Sequence, residues 1–169
     1  REIKKFPDPV LRKKTASVGA IDEDLCRLID DMVETMHAAP GVGLAANQVG
    51  VPLQVAVIDI GDHEDEGKKR PLVVLINPEV VSVEGAVVAE EGCLSVPDFT
   101  EKVKRAARIK VRAKDRTGKT FELEAGGLMA KALQHEIDHL NGILFIDRLS
   151  PIKKSIFRRR LKKALAETA

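Results

Sequence analysis

The stretch Gly127-Leu128-Met129-Ala130-Lys131-Ala132-Leu133-Gln134-His135-Glu136-Ile137-Asp138-His139-Leu140 decides the reading of this chain, because it sets a metal-type motif on a segment of helical periodicity. Gly126-Gly127 opens it and Asn141-Gly142 closes it, the punctuation of a helix start and a C-terminal stop. On such a helix His135 and His139 project from one face a turn apart, so both imidazoles can reach a single ion. Glu136 lies about 100° further round by the 3.6-residue period. It is poorly placed as a ligand and well placed to take a proton from a water beside the ion.

Two imidazoles do not complete a catalytic site, which usually has three protein ligands and one open position. The longer zinc-protease signature H-E-x-x-H-x-x-G-x-x-H is followed through Gly142, but its last position is Phe145. Downstream of His139 the only glutamate is Glu167, so the third ligand is expected upstream. The candidates there are Cys93, Cys26, His37, His63 and a number of carboxylates. Cys26 adjoins the apolar stripe of an earlier helix, where a buried, inert thiol is the expectation. His37 reads as a C-terminal cap of that helix, and His63 falls in a solvated acidic loop over 61–70. Cys93, behind a glycine in "EEGCLSVP", is favoured over these rivals on thiolate reactivity.

Outward from this helix, the pattern is α+β. "IDEDLCRLIDDMVETMHAA" places Leu25, Leu28, Ile29, Met32 and Met36 on one stripe, with acidic residues in its first turn and Pro40-Gly41 as its stop. β-rich runs follow: "LQVAVIDI", "PLVVLINPEV", "VSVEGAVVAEEGCLSV" and "RIKVRAKDRTGKTFELEA", the last turning at Thr117-Gly118. Helix, strands, helix, helix is the order of antiparallel sheets packed around a central metal-binding helix, with an N-terminal and a C-terminal helix. The 169 residues suit one domain over 1–169, with a basic helix at about 151–169.

Composition narrows the function classes. Trp and Tyr are absent and Phe occurs five times, which argues against base-stacking nucleic-acid platforms. A net charge of +2 implies no polyanionic partner for the whole molecule, so DNA is not expected. The segment "PIKKSIFRRRLKKALAETA" is different, with seven Lys/Arg against one Glu. Two cysteines make no disulfide framework, "REIKKFPDPV" has no apolar signal core, and no apolar run approaches the roughly 20 residues of a membrane helix. A reducing cytoplasm and no membrane are the expectation.

Three segments in register, "GVGLAANQ" at 41–48, "EGCLS" at 91–95 and "QHEIDH" at 134–139, resemble the peptide deformylase family, specifically the bacterial type ending in a helix. The resemblance implies hydrolytic removal of the N-formyl group from nascent chains beginning with formyl-methionine, with release of formate. It implies Cys93, His135 and His139 as metal ligands and Glu136 as the catalytic glutamate. Gln48, with the backbone N–H of Leu94, would stabilise the oxyanion. Gly43 would hydrogen-bond the substrate backbone, and Val42 and Leu94 would help line the methionine pocket. Ferrous iron is the implied ion, with Ni2+, Co2+ or Zn2+ as substitutes, although a Cys-His-His set by softness alone suits zinc. The basic tail resembles the extension by which bacterial members dock at the ribosome exit region, and a monomer is expected.

Two departures from the family pattern bear on substrate preference. "PDFTE" at 97–101 lacks an arginine carried by some members, and Lys131 is an unexpected charge one turn before His135. The rival readings are an H-E-x-x-H endopeptidase and a non-enzymatic ribosome- or RNA-binding protein with a structural metal.

Overall fold

A computed structural model describes residues 1–61, 64, 65 and 68–168. The first helix, α1 (Glu23–Ala38), starts where the Asp22 carboxylate accepts a hydrogen bond from Leu25 N at 2.9 Å, leaving Glu23 and Asp24 at its positive end. Its five-residue apolar stripe is wholly buried.

Strand β1 (Gly43–Ala45) opens a five-stranded antiparallel sheet. It pairs with β2 (Val55–Ile58), and β3 (Glu64–Asp65) and β4 (Lys68–Lys69) then form a separate short pair. The long β5 (Val73–Glu84) returns to the main sheet. β6 (Val87–Cys93) and β7 (Val96–Arg105) make a hairpin of their own, and β8 (Arg108–Lys114) and β9 (Thr120–Ala125) finish the main sheet in the order β1-β2-β5-β8-β9.

The sheet is covered on both faces. α1 packs on one side, meeting Leu44, Val55, Val57 and Ile76. On the other lies α2 (Gly127–Leu140), whose Met129, Leu133 and Ile137 meet Ala56, Ile58, Leu75 and Val111. This explains why "VAVI" in β2 is apolar throughout: successive side chains point to opposite faces, and both are buried. A third cluster joins β7 to the C-terminal helix α3 (Pro151–Thr168), with Phe157 edge-on to Phe6 and Phe99 at 5.6 and 4.9 Å between centroids.

The α+β expectation and its central helix hold, and the helix ends and the Thr117-Gly118 hairpin fall where the turn residues put them. Four local expectations do not hold. The run 81–96 is cut at Gly85 (φ 69°), and its first part continues β5 across two register irregularities rather than starting a new strand. The loop expected at 61–70 contains the β3–β4 pair, while His63 lies outside the described residues. Cys26 is only half-buried, since it flanks the stripe instead of lying in it. His37 does not serve as a backbone cap; its Nε2 lies 2.7 Å from Oδ2 of Asp59 and ties the end of α1 to the end of β2. That pairing holds the Asp59 carboxyl below its ordinary range.

Candidate active site

Three elements bring the site together: the C-terminal end of β6, the last two turns of α2, and β1 with the 3-10 turn Ala46–Val49 that follows it. Cys93 Sγ lies 3.2 Å from His139 Nε2, which lies 3.2 Å from His135 Nε2. Among the described residues these three are the one cluster of metal-type side chains, with ligand atoms within 4.8 Å of one another.

The donor set fits a divalent transition metal. A thiol sulfur and two imidazole nitrogens converge on one point, with a buried carboxylate beside them. Burial opposes a charged His135, yet hydrogen bonds to Cys93 and Glu91 outweigh it and push its pKa up to about 10. Burial and the neighbouring His135 pull His139 well below its ordinary value.

Behind these three side chains stands a buried ion network. Glu91 Oε1 lies 3.0 Å from His135 Nδ1, and both Glu91 oxygens receive Arg105 at 2.8 Å. Burial works against the Glu91 carboxylate, but Arg105 and then His135 win and hold it down at about 2. Arg105 also donates to Asp138 at 2.5 Å, and Arg148 donates to both Asp138 oxygens at 2.6 and 2.7 Å. Asn47 Nδ2 donates to the carbonyl of His139 at 2.5 Å, locking the end of α2 against the 3-10 turn. Phe145 occupies the place where the protease signature would want a histidine. It is buried, and its ring stacks behind His135 at 6.3 Å.

Glu136 is 3% exposed and its Oε1 has no hydrogen-bond partner among the described residues. Burial pushes its carboxyl up to about 7. Gly43 is required beside it, since a Cβ there would sit 2.5 Å from Glu136 Oε2. Gln48 is oriented by its own backbone: its Oε1 accepts from Ala45 N at 2.9 Å. Its Nε2 therefore points inward, donating to Ser95 Oγ at 3.0 Å and lying 3.7 Å from Cys93 Sγ.

The site opens on a cleft of about 690 Å³. Val42, Gly43, Gln48, Cys93, Leu94, His135 and Glu136 all line it, whereas His139 lies behind them, fully buried. Sequence reasoning missed Leu128 and Ala132 on the cleft wall, and Glu91, Arg105, Asp138 and Asn47 in the support. Helical spacing from His135 could have found the first two. Glu91 and Asp138 stand inside the quoted motifs, but nothing near Arg105 marks it.

The comparisons with known proteins agree with this geometry. The family model for polypeptide deformylase matches residues 1–155. The peptide deformylase of Syntrophobacter fumaroxidans is 57% identical over 162 residues, covering 96% of this chain and 94% of that protein. The crystal structure of a peptide deformylase from Legionella pneumophila superposes with a TM-score of 0.89 at 49% identity, covering 99% of this chain and 96% of its own. That of Thermotoga maritima gives 0.81 at 44%, covering 89% and 97%. The chain belongs to the polypeptide deformylase family.

Proposed function

We propose that this protein removes the formyl group from the N-terminal formyl-methionine of nascent polypeptides, by hydrolysis, in the bacterial cytoplasm. The observation that carries the reading is the convergence of Cys93, His135 and His139 on one point, beside a cleft that Gln48, Cys93, His135 and Glu136 line.

Cys93 Sγ and the Nε2 atoms of His135 and His139 would hold the metal, read here as ferrous iron with nickel, cobalt or zinc as substitutes. When bound, it supplies Lewis acidity that lowers the pKa of a water and polarises the formyl oxygen. Glu136 takes a proton from the attacking water at its unpartnered oxygen and returns it to the departing amine nitrogen. Water's oxygen joins the formyl carbon, the carbon–nitrogen bond breaks, and formate and a free amino terminus result.

Negative charge that develops on the formyl oxygen meets the Gln48 amide, already aimed inward, and the backbone N–H of Leu94. One such donor typically contributes about 3 kcal/mol to the barrier reduction. The substrate chain lies against β1, an edge strand whose Gly43 leaves the approach clear. Val42 and Leu94 flank the methionine side chain, for which an unbranched apolar slot is suited.

The chain works as one domain and as a monomer in this reading. Its α3, with Arg158, Arg159, Lys162 and Lys163 exposed, is the surface offered to the ribosome exit region. No described helix is long and apolar enough to cross a membrane.

Formate release from formyl-Met-Ala-Ser by anaerobically prepared protein tests the reading. Glu136→Ala should keep its metal and lose turnover by roughly a hundredfold or more. Undiminished turnover in that variant would remove Glu136 from the mechanism, and casein cleavage without formate release would favour an endopeptidase. Activities of anaerobically reconstituted iron and zinc forms decide the metal.

A further inference from the structure

Lys131 is the one charged residue on the α2 wall of the cleft that the hydrolysis described above does not use. Leu128, Lys131, Ala132 and His135 recur at three- and four-residue spacing, so they share a helix face, and all four line the cleft. Lys131 is half-buried, and its Nζ donates to the carbonyl of Glu90 on β6 at 3.2 Å. The ammonium is therefore held across the rim from helix to strand, with two N–H groups left over.

No carboxylate among the described residues pairs with it. Glu91, next in the chain to the residue it touches, is occupied by Arg105 and His135. Lys5, also on the cleft and exposed, adds a second positive charge at the mouth, against Asp98 as the one exposed carboxylate there.

Distance selects what this ammonium meets. One helical turn is about 5.4 Å, so Lys131 stands about that far along α2 from the ligand beside the reacting carbonyl. An extended substrate advances about 3.3 Å per residue, so the side chain after methionine comes within reach of the flexible lysine stem.

We propose that Lys131 is a specificity determinant, favouring formylated chains with an acidic residue directly after methionine and disfavouring those with a basic one. This rests on the deformylase reading of the same cleft.

The experiment measures kcat/KM for three amidated peptides, formyl-Met-Asp-Ser, formyl-Met-Ala-Ser and formyl-Met-Lys-Ser, with the metal-loaded full chain. One gained and one lost half-exposed charge contact predict an Asp-over-Lys preference of about tenfold in the wild type. Lys131→Met should bring that ratio to within about twofold of unity, and Lys131→Glu should invert it. The wild-type ratio should also shrink as KCl rises through the range where the Debye length falls below about 10 Å. This salt series needs no variant and stands even where a substitution fails to fold. A flat wild-type ratio, a salt-independent one, or a preference that survives in Lys131→Met overturns the role of Lys131 while formyl-Met-Ala-Ser is still hydrolysed. Absence of formate from all three peptides overturns the deformylase reading and this proposal with it.

Discussion

Nδ1 of His135 lies 3.0 Å from Oε1 of Glu91, a carboxylate that Arg105 keeps ionised. An ionised carboxylate only accepts, so a ring proton stays on Nδ1, and Nε2 is the nitrogen that would give up its proton to bind a metal. The orientation of one proposed ligand is thus tied to a residue two positions before another, Cys93, on the same strand.

Glu91→Gln tests that link. The amide can present its N–H₂ to the ring or to Arg105 and cannot serve both as the carboxylate does. Metal affinity should fall by about ten- to a hundredfold, read by competition with a chelator. An unchanged affinity would mean that His135 is oriented by packing on Phe145 alone.

The two glycines of "GVG" should respond differently to the same methyl group. A Cβ at Gly43 would meet Glu136 Oε2 at 2.5 Å in a buried site, and the carboxylate cannot retreat without leaving the position from which it is proposed to act. A Cβ at Gly41 would meet Leu94 Cδ1 at 2.7 Å, the end of a flexible side chain. Gly43→Ala should therefore lower kcat about a hundredfold, as displacement of a catalytic group by about 1 Å does. Gly41→Ala should act mainly on KM, through the Leu94 wall. Equal effects in steady-state kinetics would contradict the steric assignment.

Arg105 is 6% exposed and serves two carboxylates, whereas the Arg148 side chain is 42% exposed and serves one. Arg105→Met strands Glu91 and part of Asp138 in the interior, and breaking a buried pair in this way costs about 3–5 kcal/mol. Arg148→Ala leaves Asp138 with Arg105 and should cost about 1 kcal/mol or less. Urea unfolding of the two variants, side by side, measures the difference, and similar losses would show that Arg148 is the true anchor of Asp138.

What the sequence made legible follows the range of the interactions involved. The α1 stripe, the α2 boundaries and the Thr117-Gly118 hairpin rest on signals within one element or one turn, and each is where the pattern puts it. Cys93 could be chosen because the alternatives were few and the H-E-x-x-H helix demanded a partner. Arg105 was invisible: its partners are 14 and 33 residues away, and an arginine in "KVKRAAR" reads as one more surface cation. The cut at Gly85 was missed for a related reason. β5 pairs with β8, beyond an intervening hairpin, so local alternation could not say where one strand ended and the next began. Phe145 shows how a failed motif still informs: the absent histidine left room for a ring that backs His135.

The C-terminal helix offers a test that separates anchoring from docking. Phe157 is buried against Phe6 and Phe99, and Leu161 packs on the same cluster, so the apolar side of α3 holds it to the body. Arg158, Arg159, Lys162 and Lys163 are exposed and contribute nothing to that cluster. Changing all four to glutamine should leave the melting temperature and formate release nearly unchanged, because surface substitutions away from such anchors stay within about 0.5 kcal/mol. If α3 docks on ribosomal RNA or on an acidic ribosomal surface, co-sedimentation with ribosomes should fall steeply in the same variant, and in the wild type should weaken as salt is raised. Phe157→Ala should do the reverse, lowering stability by about 3 kcal/mol through loss of the aromatic contacts while sparing the charges. Full co-sedimentation by the four-glutamine variant would assign the basic face of α3 to solvation and move any ribosome contact elsewhere on the molecule.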